Sequence, residues 1–165
     1  MSIRLSNTSS AGAVGPAGPE GPAGPAGTDG AAGPAGADGA IPSRQNIILT
    51  TASLAQNASE SGTVALGKSY RLIRVATDRA ARVRLYTTVA KRDADAARAI
   101  GIDPTGDHGL VMELVTGADL DWDLTPEPIG ANREDPVTTA AAYHITNLAA
   151  ADIVTVTFTE QVLEV

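Results

Sequence analysis

The chain has 165 residues, 43% of them hydrophobic, with 19 acidic against 12 basic side chains and a formal net charge of −7. This acidity argues against a nucleic-acid-binding protein, whose first signature is a basic surface, and the 3% aromatic content leaves few platforms for stacking bases. Because the chain has no cysteine, disulfide frameworks and thiolate metal sites are excluded. No apolar run approaches the ~20 residues of a membrane span, and no secretory signal is expected at the amino end.

Residues 1–11 alternate weakly between apolar and polar side chains, with Ile3 and Leu5 on one side and Arg4 on the other. Such a pattern suits a short strand that is laid against a partner, since it is too short to form a domain. We therefore predict an anchoring peptide over residues 1–11, with Ile3, Arg4 and Leu5 as its contacts.

Glycine then returns at every third position for ten triplets. These residues are Gly12, Gly15, Gly18, Gly21, Gly24, Gly27, Gly30, Gly33, Gly36 and Gly39. Three polyproline II chains can wind together only if every third residue lacks a side chain, because nothing larger than hydrogen fits at the common axis. Composition alone also allows a disordered Gly/Pro/Ala linker, but the strict phase favours a collagen-like triple helix over residues 12–40, and with it a homotrimer.

The stalk has weak stabilising features of its own. Five prolines follow a glycine directly, but none occupies the third slot of a triplet, and the charged side chains Glu20, Asp29 and Asp38 have no lysine or arginine among them. Three chains in register would bring like charges together without partners. We expect a flanking domain to trimerise and raise the effective concentration of the three strands.

Residues 41–165 supply the hydrophobic core, and their short β-branched runs separated by turn residues indicate strands. Strands are predicted near residues 45–51, 63–66, 69–77, 81–88, 110–116, 120–124, 139–146 and 154–159, with one helix over 89–98 that ends before Gly101. The pattern predicts an all-β, antiparallel β-sandwich or jelly-roll-like domain with one short helix, which serves as tip and trimerisation domain. In 69–77 the apolar phase slips after Leu72, which indicates a bulge or a strand covered on both sides.

Three local features of this domain are also predicted. Lys91 and Asp95 are spaced to pair along the helix. Leu120, Trp122 and Leu124 alternate with acidic residues and are expected to point inward. Residues 125–136, with three prolines, are expected to form a long exposed loop.

Several arginines of the tip are expected on outward strand positions, where they are candidates for binding an anionic glycan or a neighbouring subunit: Arg71, Arg74, Arg82 and Arg84. The alternative interpretation is that these outward charges only increase solubility and prevent pairing of exposed strand edges. Trimer contacts are the preferred functional interpretation.

No metal, cofactor or catalytic site is expected. Strand alternation places Asp119, Asp121 and Asp123 on one solvent face rather than around an ion, and the loop acids Asp103, Asp107, Glu134 and Asp135 have no recognisable ligand spacing. The two histidines, His108 and His144, cannot form a histidine triad within one chain. The sequence has no nucleophile motif and no paired carboxylates of a glycosidase, so we expect no enzymatic activity.

The combination of a short amino end, the stalk GPAGPEGPAGPAGTDGAAGPAGADG and a compact β-rich tip resembles the collagen-like fibre and decoration proteins of tailed bacteriophages. The segment RLIRVATDRAARVRLYTTVAKRDADAARAIGIDP is also similar to β-domains of phage structural proteins. The resemblance implies a homotrimeric virion fibre without enzymatic activity, assembled in the host cytoplasm. Its amino end would bind a capsid protein as the first choice, and a tail or neck protein as the second. Its tip would face outward to aid attachment to the host surface.

Three other functions stay open. A carbohydrate-binding module at a fibre tip would need aromatic side chains on the surface, and the expected inward position of Trp122 supplies this poorly. A bacterial collagen-like surface protein would normally need an export signal and an anchor. A depolymerase at the tip would need a catalytic pair that the sequence does not show.

Overall fold

The computed structural model describes residues 12–28, 30 and 43–165. The chain divides into two compact units, Met1–Asp38 and Gly39–Val165. In the first unit, residues 12–28 and 30 form neither helix nor strand, and all of them are exposed. The predicted boundary of the tip, at residue 41, lies outside the described residues.

The described part of the second unit contains nine strands and one short helix. In chain order these are β1 (Arg44–Thr50), β2 (Ser59–Ala65), β3 (Ser69–Thr77), β4 (Ala81–Tyr86), α1 (Val89–Asp95), β5 (Leu110–Val115), β6 (Asp121–Asp123), β7 (Ile129–Ala131), β8 (Ala140–Asn147) and β9 (Thr155–Glu164).

The strands form two antiparallel sheets. The first sheet has the order β1-β9-β3, and the short strands β6 and β7 both pair with the outer side of β3. The second sheet has the order β2-β8-β4-β5. The predicted antiparallel two-sheet architecture with one short helix is therefore confirmed.

The core lies between the sheets and follows the alternation of the strands. In β9, Val156 and Phe158 are buried while Thr155, Thr157 and Thr159 point to the other side. The buried apolar side chains form one cluster, consisting of Val64, Leu66, Tyr70, Leu72, Val75, Ala81, Val83, Leu85, Met112, Ala141, Tyr143, Ile145, Val154, Val156 and Phe158. Burial of these side chains, each contributing about 1–3 kcal/mol when large, is the main driving force for this unit.

Of the two alternatives predicted for β3, a bulge or a strand covered on both sides, the structure shows the bulge. The register of β3 against β9 shifts between Leu72 and Arg74. The extra residue allows Leu72 and Val75 to enter the same core although they are three positions apart.

Helix α1 is shorter than predicted, because it ends at Asp95 rather than near Arg98. It begins at the N-cap Thr88, whose hydroxyl accepts a hydrogen bond of 3.2 Å from the backbone N–H of Lys91. The expected pair between Lys91 and Asp95 does not form, since Lys91 instead contacts the carboxylate of Asp107 at 2.6 Å. Asp95 is engaged by Arg84 of β4 and by Arg98, which follows the helix, as described below.

The expectation that Arg82 and Arg84 face solvent is wrong. All six residues of β4 are buried, and Arg84 is only 1% exposed. The reason is that α1 packs on the outer face of the second sheet, where Arg92 of the helix donates a 2.8 Å hydrogen bond to the carbonyl of Gly62. The expected loop at 125–136 is also wrong in part, because it contributes β7 to the first sheet.

Candidate interaction surfaces

The glycines of the period-three stretch are not crowded by their own chain. A methyl group added at any of the seven described ones would meet no non-neighbouring atom within 4 Å: Gly12, Gly15, Gly18, Gly21, Gly24, Gly27 and Gly30. Gly33, Gly36 and Gly39 lie outside the described residues, as do the predicted anchor residues Ile3, Arg4 and Leu5. Nothing in the described part of a single chain therefore requires glycine at these positions.

Two glycines of the second unit show what an intrachain requirement looks like. Gly62 lies directly opposite Tyr143 in the β2–β8 pair, and Gly130 lies opposite Tyr70 in the β7–β3 pair. In each case an added methyl group would overlap the tyrosine ring that covers the glycine backbone. Such aromatic cover of glycine in a neighbouring strand stabilises short or edge strands.

A buried arginine cluster joins α1 and the segment after it to the second sheet. We define it as Arg82, Arg84, Arg98, Asp95 and Glu113. Arg84 donates to the carbonyl oxygens of Asp95 at 2.7 Å and Ala96 at 3.0 Å, which lie at the carboxyl end of α1. Because the last carbonyls of a helix have no partner within the helix, these guanidinium contacts act as its C-terminal cap.

The rest of the arginine cluster extends these contacts to β5. Arg82 donates to Glu113 at 2.6 Å and to the carbonyl of Arg98 at 2.5 Å. Arg98 contacts both acids, at 2.8 Å to Asp95 and 2.6 Å to Glu113. Three cations thus share two carboxylates and several backbone carbonyls, which compensates their burial.

The electrostatics of the arginine cluster keep its two acids ionised. Burial alone would raise the pKa of Asp95, but hydrogen bonds from Arg98 and Tyr86 hold it below its usual value. Burial likewise opposes ionisation of Glu113, and the hydrogen bonds from Arg98 and Arg82 outweigh it and lower the pKa. The predicted role of Arg82 and Arg84 in binding a partner is therefore replaced by a structural one.

His144 and Glu160 are two further buried titratable groups that the sequence reasoning did not single out as buried. His144 lies opposite Arg84, and its Nδ1 is 2.7 Å from the hydroxyl of Ser61. Burial, together with the charges of Arg84 and Arg82, lowers its pKa to about 4. Glu160 is fully buried; its Oε1 accepts a 2.8 Å hydrogen bond from Gln45, and burial raises its pKa.

The face of the first sheet that points away from the core is not covered by any described segment, and we call it the open face. Register places fourteen side chains on it: Arg44, Asn46, Ile48, Thr50, Arg71, Arg74, Ala76, Asp121, Asp123, Ile129, Thr155, Thr157, Thr159 and Gln161. None of them is buried.

The remaining candidate arginines, Arg71 and Arg74, lie on the open face. Arg74 forms a two-point ion pair with Asp121, and Arg71 contacts Glu127 at 3.1 Å and also hydrogen-bonds Gln161. Sequence reasoning placed these two side chains correctly on the surface, although their local partners were not predicted.

Trp122 departs from its expected burial. It lies opposite Val75 and so on the core side of the first sheet, but β6 is a three-residue edge strand and leaves the indole 41% exposed. Its Nε1 donates a 3.1 Å hydrogen bond to the carbonyl of Asp119. The tip therefore has one aromatic surface at the edge of the first sheet.

No group of three or more His, Asp or Glu side chains in the described part of the chain is arranged to hold a metal ion. The three acids of residues 119–123 are spread along an edge, where Asp121 is paired with Arg74. His108 is engaged locally, since its Nδ1 accepts a 3.0 Å hydrogen bond from the backbone N–H of Leu110.

Two neighbouring clefts flank α1 and the loop that follows it. Their volumes are about 310 and 460 Å³, and both are lined by Lys91, Asp107 and His108. The cation and the carboxylate at their junction are already paired with each other, so the clefts present no free charge there.

No protein-family model, curated protein or solved structure is significantly similar to this chain. Within the described residues, no helix has the length and apolar character required to cross a bilayer.

Proposed function

We propose that this chain is the subunit of a homotrimeric virion fibre that decorates a phage particle. Residues 1–11 anchor it to the particle, residues 12–40 form a collagen-like triple-helical stalk, and residues 41–165 form the outward tip and trimerisation domain. The protein to which the anchor binds is a capsid protein as the first choice and a tail or neck protein as the second.

The observation that carries the proposal is the strict glycine period, for which no contact within the described residues gives a reason. In the tip, Gly62 and Gly130 each have a tyrosine ring where a side chain would be, whereas Gly101, Gly106 and Gly117 have open space and follow no period. In the described stalk, the same test finds open space at every third residue. Three chains around a common axis supply the missing steric constraint, because each glycine then faces two neighbouring chains.

The function is mechanical and multivalent. The 28 residues from Gly12 to Gly39, at ~3.1 Å per residue, hold the tip about 85 Å from its anchor. Three tips on one stalk, repeated over a particle, turn weak individual contacts with a cell envelope into adhesion. No catalytic step is part of the proposal, and incubation of purified trimer with capsular polymer is expected to give no turnover.

The proposal is tested first on the purified full chain. Sedimentation should give three times the monomer mass of 16.7 kDa. Circular dichroism should show a polyproline-type signal that is lost on heating before the β-sheet signal of the tip. A monomer, or the lack of any polyproline signal to lose, would overturn the stalk assignment.

A matched pair of stalk variants tests the steric argument. Gly24→Ala places a methyl group at the crowded axis and should lower the melting temperature of the polyproline signal, while the melting of the tip stays unchanged. Ala23→Ser adds one atom at the neighbouring, outward position and should leave both transitions in place. Equal effects of the two substitutions would contradict a triple helix. Electron microscopy of particles labelled at the tip should then show stalks of about 85 Å.

The exposure of Trp122 favours a second candidate, a carbohydrate-binding module at the fibre tip. An exposed indole offers a flat apolar face to a sugar ring. Glycan-array binding by the full chain that is lost in Trp122→Ala, and kept in Val137→Ala, would support this function. Binding that is absent, or equal in both variants, would exclude the Trp122 site.

A further inference from the structure

The two outer faces of the second unit differ in how they are covered. The outer face of the second sheet is packed by α1 and the segment after it, with Arg82 and Arg84 of β4 buried beneath them. The open face of the first sheet has no such cover in the described part of the chain. We infer that the open face is the surface through which neighbouring copies of this chain contact one another around the three-fold axis; this inference rests on the trimer of the proposed function.

The composition of the open face suits a protein contact. Its centre is an uncharged strip formed by Asn46, Ile48, Thr50, Ala76, Thr155, Thr157 and Thr159. Ile48 in the middle of this strip is 68% exposed. Charge depletion at the centre and polar residues at the rim are typical of protein interfaces.

The charges that flank the strip do not oppose its burial. Arg74 is paired with Asp121, and Arg71 is paired with Glu127. Dehydrating the strip therefore leaves these four groups with their partners, which avoids the penalty for an unpaired buried charge.

Chain connectivity limits the distance between β1 and the end of a triple helix. Arg44, the first residue of β1, follows the last glycine of the period by only five positions. Five residues span at most about 18 Å, so a triple helix would hold the three Arg44 residues within that reach of its end. β1 is also an edge strand of the first sheet, pairing only with β9 among the described strands, and it carries Ile48 onto the open face.

A closed three-fold ring requires two different patches on each chain, because head-to-tail contacts join unlike surfaces. The two edges of the first sheet provide such patches. Arg44 lies at the β1 edge and Asp123 at the β6 edge, and neither forms an ion pair with another described residue. Their opposite signs favour contact between the β1 edge of one copy and the β6 edge of the next.

The size of the open face explains why the contact needs the stalk. Four strands spaced by ~4.8 Å and seven residues long at ~3.4 Å per residue give roughly 450 Å². Stable complexes usually bury about 800 Å² on each partner. The tip contact is thus small by itself and becomes effective when the stalk holds three tips together.

Disulfide cross-linking tests the contact, because the natural chain has no cysteine. In the double variant Arg44→Cys, Asp123→Cys, the two thiols of one chain lie about three strand spacings apart, roughly 14 Å, which is too far for an intrachain disulfide. Oxidation of the full-length trimer should therefore give a covalent trimer on a non-reducing gel. Each single variant, with one thiol per chain, cannot go beyond a dimer. The control double variant Ile102→Cys, Val137→Cys, at two exposed sites outside the open face, should give no covalent trimer.

The outcomes separate this inference from the proposed function. A sample that sediments as a trimer but forms no covalent trimer in the Arg44→Cys, Asp123→Cys variant overturns the contact and leaves the fibre intact. A sample that sediments as a monomer before oxidation overturns both. As a second measurement, Ile48→Arg should lower the melting temperature of the stalk signal by several degrees, while Ile102→Arg should not; equal melting in the two variants also overturns the contact.

Discussion

His144 is expected to make the second unit less stable as the pH falls from 7 to 5. Its ring is buried opposite Arg84, with Nδ1 2.7 Å from the Ser61 hydroxyl. Burial and the neighbouring guanidinium groups lower its pKa to about 4, whereas in the unfolded chain the pKa is the ordinary 6.5. At pH 5 the unfolded chain therefore binds a proton at His144 that the folded chain does not bind.

The sign and size of the effect follow from this difference. Because the folded-state pKa is depressed, the stability due to the neutral ring is complete above pH ~6.5 and is lost as the pH falls toward 4. Proton linkage gives a loss of about 2 kcal/mol in the free energy of unfolding between pH 7 and pH 5, and about 3 kcal/mol by pH 4. This is a large share of the stability of an ordinary domain.

The measurement is urea unfolding of the full chain, followed by the β-sheet circular dichroism signal at pH 7, 6 and 5. His144→Gln keeps a hydrogen-bonding group near Ser61 but does not titrate, so it should lose about 2 kcal/mol less than the natural chain over this range. His108→Gln is the control, because His108 lies in a partly exposed loop, and it should keep the natural pH dependence. If the His144→Gln variant and the natural chain show the same slope, the buried neutral histidine is refuted.

Two further substitutions test the other buried charges. Glu160→Gln should raise the urea midpoint at pH 7, because burial raises the folded-state pKa of Glu160. The stability that the protonated Glu160 contributes is complete below the unfolded-state pKa of ~4.3 and is lost as the pH rises through the folded-state pKa. The gain should shrink as the pH is lowered toward 4, and a destabilised variant at pH 7 would contradict the interpretation. Arg84→Met removes the cap of α1 and leaves buried acceptors, so it should lower the free energy of unfolding by about 3 kcal/mol. Arg74→Met, which breaks only an exposed ion pair, should lower it by less than about 1 kcal/mol, and similar losses in the two variants would show that the arginine cluster contributes little.

Much of the tip fold could be predicted because its strands carry local signals. In β9 the alternation of Val156 and Phe158 with threonines is confirmed, since only one side of that strand faces the core. The phase slip after Leu72 likewise marks a real bulge. Both features depend on residues within a few positions of one another, where the period of two is a direct consequence of strand geometry.

The wrong prediction that Arg82 and Arg84 of β4 face solvent shows which information an alternating pattern lacks. Ala81, Val83 and Leu85 do point into the core, and Arg82 and Arg84 do point to the other side. A period of two separates the faces of a strand, but it does not show whether a later element covers the second face. The residues that follow β4 contained a sign that this face is covered. Asp95 and Glu113 supply the carboxylates that the buried guanidinium groups of Arg84 and Arg82 need.

Trp122 was misjudged for a related reason. Its side of the sheet was correct, but its burial depends on β6 being a three-residue strand at an edge, beyond which the described residues contribute no further strand. Strand order arises from pairing between distant segments, which a pattern within one segment does not determine. The same limit applies to the open face, where β1 at the start of the tip pairs with β9 at its end.

The stalk and the open face can be understood together through the charges of the stalk. Glu20 lies in the described stalk without any basic residue between Gly12 and Gly39, so three parallel chains would gain no ion pairs from it. A stalk of this kind needs help from a domain that itself associates. An open face with an uncharged centre around Ile48, beginning a few residues after the last glycine, is the feature of the tip best suited to give that help. The melting of the stalk should for this reason respond to a substitution at Ile48, although no atom of that side chain belongs to the triple helix.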